Sequence, residues 1–387
     1  MPTNADQDAR FMAQALALAE CARWACPPNP AVGCVLVDAA GQVIGQGHTQ
    51  RTGEAHAEVM ALRDAAALGH SVAGATAYVT LEPCAHHGRT GPCADALVAA
   101  GIGRVVAALE DPHPRVAGQG LARVRAAGVR VDLGVGAAAA REINLGFFSR
   151  VVRGTPWVRL KAASSLDGRT ALPNGVSQWI TSPEAREDGQ RWRAQAGAVL
   201  TGIGTVLDDD PLLNVRLEGA TRQPPLVIVD SRWQTPLGAR LWSVPNRAVV
   251  IYGAADDPEK RNALQAKGAT VVALPNAHGK VDLAALLRDL GQREINELHV
   301  EAGYKLNGSL FRERLVDELL LYQAPLLLGE GAGLAAIGPL TTLDQGVRLQ
   351  WQSWTPVGTD LRLIGRLPGR ADFDWPRGSA AGAASDA

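Results

Sequence analysis

Three side chains with a strong affinity for transition metals, His56, Cys84 and Cys93, share one stretch with a carboxylate, Glu58, that has no obvious structural duty. One imidazole and two thiolates fill three corners of a tetrahedron around Zn²⁺ and leave the fourth to water. An ion held this way lowers the pKa of its water towards neutrality. Glu58 then suits a proton shuttle, taking a proton from the water and handing it to a substrate nitrogen. A structural zinc knot is the rival, but such sites supply a fourth protein ligand and usually show CxxC spacing. Here the cysteines stand at 84 and 93, and His-x-Glu precedes a strand that leads into Glu82-Pro83-Cys84. That company favours a catalytic ion.

Positioning these groups takes an α/β scaffold. Helical spacing of Phe11, Met12, Leu16 and Leu18 predicts an opening helix over 6–24. The runs 32–38 and 42–48 read as a hairpin around Ala39-Ala40-Gly41. Helices over 56–68, 91–100, 120–127 and 137–152 then alternate with strands over 75–81, 104–109 and 129–133. Such alternation calls for a sheet covered on both faces. His56 and Cys93 open helices in this reading, where the positive helix end favours thiolate and anion.

A chain of 387 residues is too long for one ordinary core. We expect domains over 1–150 and 151–368, with 369–387, small, polar and aperiodic, as a disordered tail. Apolar residues at 47% and charged residues at 20% describe a globular protein, and a formal charge of −1 gives no basic footprint for nucleic acid. No apolar run reaches the length of a membrane span, and the first residues do not read as a signal peptide. Five cysteines are odd in number and too sparse for a disulfide framework, so reduced thiols and a cytoplasmic location are expected.

The motifs PNPAVG (28–33), GEAHAE (53–58), TLEPCAHHGRTGPC (80–93) and EDPHPRVAGQG (110–120) closely resemble the deaminases of riboflavin biosynthesis. The His-x-Glu with a later Pro-Cys is also the arrangement of zinc deaminases acting on nucleobases. The resemblance implies a cytidine-deaminase-like three-layer α/β/α domain with His56, Cys84 and Cys93 on zinc and Glu58 as proton donor. It also implies Asn29, His86, Arg89 and Asp111 against the pyrimidine and its ribose phosphate. By residue type alone, Asn29 equally suits a Pro-flanked turn, and Arg89 suits either a phosphate gripped by two oxygens or a solvated loop. Ala85 stands where the family usually has Ser, and His113 where it usually has Asn. Both departures bear on substrate contacts rather than on the metal.

Gly154-Thr155-Pro156 breaks the chain before a second α/β unit. Strands are predicted over 157–165, 198–203, 226–231, 248–252, 270–274, 297–301 and 319–324, and helices over 182–196, 257–267, 283–293 and 309–315. No GxGxxG follows a strand and opens a helix, which disfavours a Rossmann site. The glycine-flanked junction over 301–309 can instead cradle a diphosphate with backbone amides.

LKAASSLDGRTA (160–171), SQWIT (177–181), TGIGTVLDDDPLLNVR (201–216) and VEAGYKLNGSL (300–310) resemble the pyrimidine reductases that are fused to these deaminases. That resemblance implies a dihydrofolate-reductase-like α/β domain using NADPH. It implies cofactor contacts from Ala163, Trp179, Thr205, Asp209, Ser231, Gly303, Tyr304, Lys305, Leu306, Asn307, Gly308 and Ser309. Substrate would meet Ser177, Arg193, Leu213, Arg216 and Glu301, the two arginines being natural phosphate clamps. Lys161 and Asp167 are expected at the ribose or in proton movement, although Asp167 equally suits a turn before Gly168.

The expected enzyme is bifunctional. Zinc-dependent hydrolysis converts 2,5-diamino-6-(5-phosphoribosylamino)pyrimidin-4(3H)-one to 5-amino-6-(5-phosphoribosylamino)uracil, and NADPH then reduces the ribosyl to a ribityl group. Its partners would be these small molecules and further copies of the chain, with neither nucleic acid nor membrane. The alternatives are a monofunctional deaminase whose C-terminal half only binds nucleotide or builds an oligomer, and a nucleic-acid deaminase, which the neutral charge disfavours.

Overall fold

Thr3 and Asp6 cap each other's backbone in a reciprocal box that starts α1 (Asn4–Ala22), and Phe11, Met12, Ala15, Ala19 and Ala22 form its buried side. These residues belong to a computed structural model that describes residues 3–85, 91–114, 116–220 and 222–373. The chain divides into two units, Met1–Arg153 with Phe373–Ala387, and Gly154–Asp372.

In the first unit, β1 (Gly33–Val37) and β2 (Val43–His48) form the expected antiparallel hairpin, closed by Asp38, whose carboxylate accepts the Ala40 and Gln42 amides. β3 (Thr76–Val79) adds antiparallel to β1, and β4 (Arg104–Ala107) and β5 (Arg130–Leu133) continue in parallel, giving the order β2-β1-β3-β4-β5. Of the crossover helices, α2 (Ala57–Ala67) lies very close to β2: a Cβ on Gly47 would stand 2.6 Å from the Ala61 nitrogen. That close seat requires glycine. Ala61 and Ala65 are buried on the same side of α2 as Glu58, so the i, i+3, i+7 spacing turns this carboxylate inward. The remaining helices are α3 (Cys93–Ala99), α4 (Gln119–Ala126), α5 (Ala137–Ile143) and α6 (Leu145–Phe148).

The single helix expected over 137–152 is broken. Asn144 leaves the helix to pair its carboxamide with both the N–H and the C=O of Ala31, and a π-helical turn, Ser149–Arg153, ends the run. At the other end of the sequence, Phe373 is buried, 5.8 Å from Phe148 between ring centroids and 4.6 Å from the Arg153 guanidinium. The segment expected to be a disordered tail from 369 is therefore packed as far as Phe373, and 374–387 lie outside the described residues.

The second unit contains β6 (Trp157–Ser164), β7 (Arg169–Ala171), β8 (Ala198–Gly202), β9 (Leu226–Val229), β10 (Val249–Gly253), β11 (Thr270–Ala273), β12 (Glu297–Val300) and β13 (Glu318–Gln323), followed by β14 (Ala332–Gly333), β15 (Gln350–Val357) and β16 (Asp360–Arg366). Nine of them make one sheet, β11-β10-β9-β8-β12-β6-β13-β16-β15, parallel except for the last two. Its helices are α7 (Pro183–Gln195), α8 (Ile203–Asp209), α9 (Pro258–Ala266), α10 (Leu283–Gln292) and α11 (Tyr304–Arg312). Strand alternation divides the sheet's residues between two faces. Val158, Leu160, Leu298 and Val300 pack with Leu286, Leu290, Leu310 and Phe311 in an apolar core. Arg159, Lys161 and His299 alternate with them, and Arg159 bridges Glu297 and Glu318 at 2.7 and 2.6 Å.

One expectation fails here, and α8 and the β15–β16 hairpin were not among the expected elements. The helix placed over 309–315 begins at Tyr304, because Leu310 and Phe311 are the buried side of a helix that Gly303 caps. The β15–β16 hairpin carried no strand signal, since β15 shows little one-faced burial, with Trp351 and Trp354 53% and 68% exposed. Among the described residues no helix is long and apolar enough to cross a membrane.

Candidate active sites

His56 caps α2, and Cys93 opens α3 behind Pro92. The Cys93 amide donates to Cys84 Sγ at 3.3 Å, which ties the β3–α3 turn around the first sulfur. His56 Nδ1 lies 3.6 Å from Cys84 Sγ and 3.4 Å from Cys93 Sγ, and the three ligand atoms are within 4.8 Å of one another. Zinc bonds of about 2.3 Å to sulfur and about 2.0 Å to nitrogen at tetrahedral angles require N···S separations of roughly 3.5 Å. The residues present therefore fit the ion in both donor type and spacing. A hydrogen bond between the sulfurs pulls the Cys84 thiol down to about 4 and pushes Cys93 up, so the pair on its own keeps one proton. Binding a divalent cation displaces it.

Glu58 is 3% exposed in this nest. Burial first, then the Cys84 charge, raise its carboxyl to about 7, where a group that both takes and gives a proton works best. Asp111 is also buried, with its carboxyl raised to about 7 chiefly by burial, and it accepts the His113 amide at 2.8 Å. Asn29 is half-buried in the turn after Pro28, its amide bonded to the Cys26 carbonyl. His86 and Arg89 lie outside the described residues.

In the second unit, Glu301 follows β12 and takes a bidentate ion pair from Arg193 on α7, at 2.6 and 2.9 Å. A third donor of Arg193 goes to the Asn214 carbonyl at 2.6 Å. The arginine expected to clamp phosphate is thus largely engaged in holding Glu301 and the 213–216 segment. Burial alone would raise Glu301; the Arg193 charge and hydrogen bonds, with His299 and Lys161, outweigh it and hold the carboxyl well below its ordinary range. Lys161 is lowered by burial, an effect that Glu301 opposes and Arg193 reinforces. Arg216, exposed, is lowered by burial of part of its side chain and by Arg193, and Arg247 falls to about 10 for the same two reasons. Arg193, Lys161 and Arg216 therefore share one carboxylate, with Arg247 beside Arg193, a surplus of positive charge that suits an anionic ligand.

The other expected contacts spread along the strand ends. Gly303 caps α11 beside Thr205, whose Oγ1 lies 3.9 Å from where a Cβ of Gly303 would stand. Tyr304 and Lys305 are exposed in the first turn of α11, and Leu306 packs against Gly202. Asn307 and Gly308 instead face the 334–336 backbone, Asn307 donating to the Leu334 carbonyl, and Ser309 bonds back to Lys305. Leu213 is buried with a φ of 48°. Ala163 and Ser177 are half-buried, and Trp179 is 66% exposed with the Arg186 guanidinium 4.5 Å from its ring. Asp209 is exposed at the end of α8, and Ser231 Oγ accepts the Val281 amide.

Asp167 does not fit a proton carrier. Its carboxylate accepts from the Ser165 hydroxyl and from the Leu328 and Gly329 amides, and the Ser165 bond leads the causes that lower it to about 2. It is a turn clasp. Sequence reasoning missed Arg247, which donates to the Leu212 and Leu241 carbonyls, and buried His299, whose Nε2 is 3.5 Å from Glu301. Period-two alternation with Glu301 was the only signal for the histidine.

Fold and site together define a zinc-dependent pyrimidine deaminase joined to a dihydrofolate-reductase-like reductase. The family model for the cytidine and deoxycytidylate deaminase zinc-binding region matches residues 5–109, and that for the RibD C-terminal domain matches 156–363. Riboflavin biosynthesis protein RibD of Escherichia coli is 44% identical over 93% of this chain and 100% of its own length. The structure of Acinetobacter baumannii RibD is 41% identical with a TM-score of 0.86, covering 94% of this chain and 99% of that one. A diaminohydroxyphosphoribosylaminopyrimidine deaminase/5-amino-6-(5-phosphoribosylamino)uracil reductase from Thermotoga maritima is 30% identical with a TM-score of 0.85, covering 94% and 100%. The chain belongs to the RibD family of bifunctional riboflavin biosynthesis proteins.

Proposed function

We propose that this chain performs two consecutive reactions of riboflavin synthesis: hydrolytic deamination of the phosphoribosylated diaminopyrimidinone, then reduction of the aminouracil's ribosyl group to ribityl. The observation that carries the first is the His56–Cys84–Cys93 triad with Glu58 buried beside it. Zinc, when bound, supplies Lewis-acid activation of the attacking water. Glu58, poised near neutrality, takes the proton released and returns it to the departing nitrogen. Asn29 and Asp111, with His86 and Arg89, orient the pyrimidine and its ribose phosphate.

NADPH, when bound, supplies the hydride. Its contacts in this reading run from Ala163, Trp179, Thr205, Asp209 and Ser231 to Gly303, Tyr304, Lys305, Leu306 and Ser309, where the free amides at the start of α11 suit a phosphate; Asn307 and Gly308, turned to the 334–336 backbone, only shape that turn. Ser177, Leu213, Arg216 and Glu301 face the substrate, and Arg193 acts by fixing Glu301. Lys161, half-buried near Glu301 with its charge disfavoured, can hold a ribose hydroxyl or deliver a proton. A homo-oligomer is supported by β15, an edge strand without a charged residue that exposes Trp351 and Trp354; light scattering reads its state directly.

The test measures NADPH oxidation by zinc-loaded wild type and Glu58→Ala, each given the diaminopyrimidinone or the aminouracil. Wild type consumes NADPH with both, and Glu58→Ala only with the aminouracil. A wild type that releases ammonia from the first but ignores the second would leave the C-terminal unit without its reductase role.

A further inference from the structure

Glu82 lies two residues before a zinc ligand, yet its carboxylate is engaged by the backbone of another segment. It is 4% exposed, and its two oxygens accept four backbone amides. Oε2 takes Asp111 at 3.1 Å and Gly118 at 2.9 Å; Oε1 takes Gly120 at 2.8 Å and Leu121 at 3.1 Å. An ionised carboxylate is acceptor-only, with about four lone-pair sites. All four are filled here, and every donor comes from one stretch, the loop from Asp111 into the first turn of α4.

A second contact holds the same two pieces together. Gly120 lies so tightly against the Glu82–Cys84 turn that a Cβ there would stand 1.8 Å from the Pro83 carbonyl oxygen. Arg123, one turn further along α4, donates to the Ala85 carbonyl at 3.0 Å and pairs with Asp95 of α3 at 2.6 Å. Both ends of the metal-ligand turn are thus fastened to α4. The loop fastened in this way presents Asp111, whose own amide is one of the four that Glu82 accepts.

We infer that Glu82 is a positioning residue for deamination: it docks the Asp111–Leu121 loop on the zinc-ligand turn and so sets where the Asp111 carboxyl meets the substrate. This rests on the proposed substrate contact of Asp111. Neither Gln, which replaces one acceptor oxygen with a donor, nor Asp, which is one methylene shorter, reproduces the fourfold acceptance. The role is separate from zinc binding, because His56, Cys84 and Cys93 hold the ion without Glu82.

Steady-state ammonia release from the diaminopyrimidinone tests it in the full-length zinc-loaded protein, with Glu82→Gln, Asp111→Asn, their double variant and Gly120→Ala. NADPH oxidation with the aminouracil reports on the untouched second unit. Glu82→Gln should raise KM at least about tenfold, the range set by leaving buried amides unpaired, with kcat within about twofold and zinc content unchanged. Gly120→Ala, which lifts the same loop with Glu82 intact, should raise KM in the same way. The double variant should be no worse than its worse parent, since both act through one contact. Asp111→Asn with wild-type KM would remove the substrate contact itself, and the route through it. Asp111→Asn impaired while Glu82→Gln and Gly120→Ala keep wild-type KM would overturn the positioning role alone. So would fold-changes that multiply in the double variant, or zinc loss tracking the loss of kcat in Glu82→Gln.

Discussion

Replacing Glu301 by Gln removes the charge that Arg193 faces while keeping the side chain's shape. The pair is well shielded, with side-chain exposures of 9% for Arg193 and 14% for Glu301, and it is held by two charge-assisted bonds. Gln retains one acceptor oxygen, so one bond worth about 1.5–3 kcal/mol is lost and an N–H donor is set against another. Leaving a buried cation uncompensated costs about 3–5 kcal/mol when the partner is removed outright. A loss of ~3 kcal/mol lies between these, and for a unit of roughly 200 residues it lowers Tm by about 6–12 °C. The carboxyl is depressed in the folded state, so its contribution is present above its ordinary pKa of 4.5 and is lost as pH falls through the native value. Calorimetry of the full chain at pH 7 and at about pH 3, inside the window where the contribution is being lost, reads both effects, and zinc chelation identifies the transition of the first unit. A second-unit transition within about 2 °C of wild type at pH 7, or a deficit that does not narrow in acid, would refute the view of Arg193–Glu301 as a structural clamp.

Chelating zinc, or changing Cys84→Ser, should abolish ammonia release while leaving NADPH oxidation with the aminouracil within about twofold of wild type; metal analysis and the two assays check it side by side. Asp167→Asn should lower the rate of aminouracil reduction by loosening the 328–329 backbone, without moving either limb of its pH–rate profile; a vanished limb would restore a proton-transfer role. His299 is buried and lowered to about 3, mainly by burial, so it stays neutral in the folded protein and gains a proton on unfolding below its ordinary 6.5. Stability therefore falls as pH drops from about 6.5 towards 3, and His299→Gln should lose less over that window in urea titrations.

The zinc site was legible because coordination dictates residue types: only a few side chains bind zinc, and an inward-facing Glu beside them has little other reason to be buried. The reductase cluster was less legible. Arg193 and Glu301 are 108 positions apart, and nothing local in either segment says that the guanidinium pairs with that carboxylate rather than with a ligand. Asp167 was ambiguous for the opposite reason, since a turn-forming Asp before Gly and a catalytic one read alike until the Leu328 and Gly329 amides are seen on it. Secondary structure was read best where burial is one-sided. It failed at 350–366, where β15 is largely exposed, and at 144, where one carboxamide ends a helix by bonding a residue 113 positions away.

Phe373 bears on where this chain can be cut. A truncation after Arg153 retains the zinc ligands and all five strands of the first sheet, yet it leaves Phe148 and Arg153 without the ring that packs on them. The first unit is thus assembled from two stretches of sequence, with the whole reductase encoded between them. During synthesis it can complete its packing only after the reductase sequence has been made. The reductase, by contrast, is continuous in sequence, and of the two it is the natural candidate for expression alone.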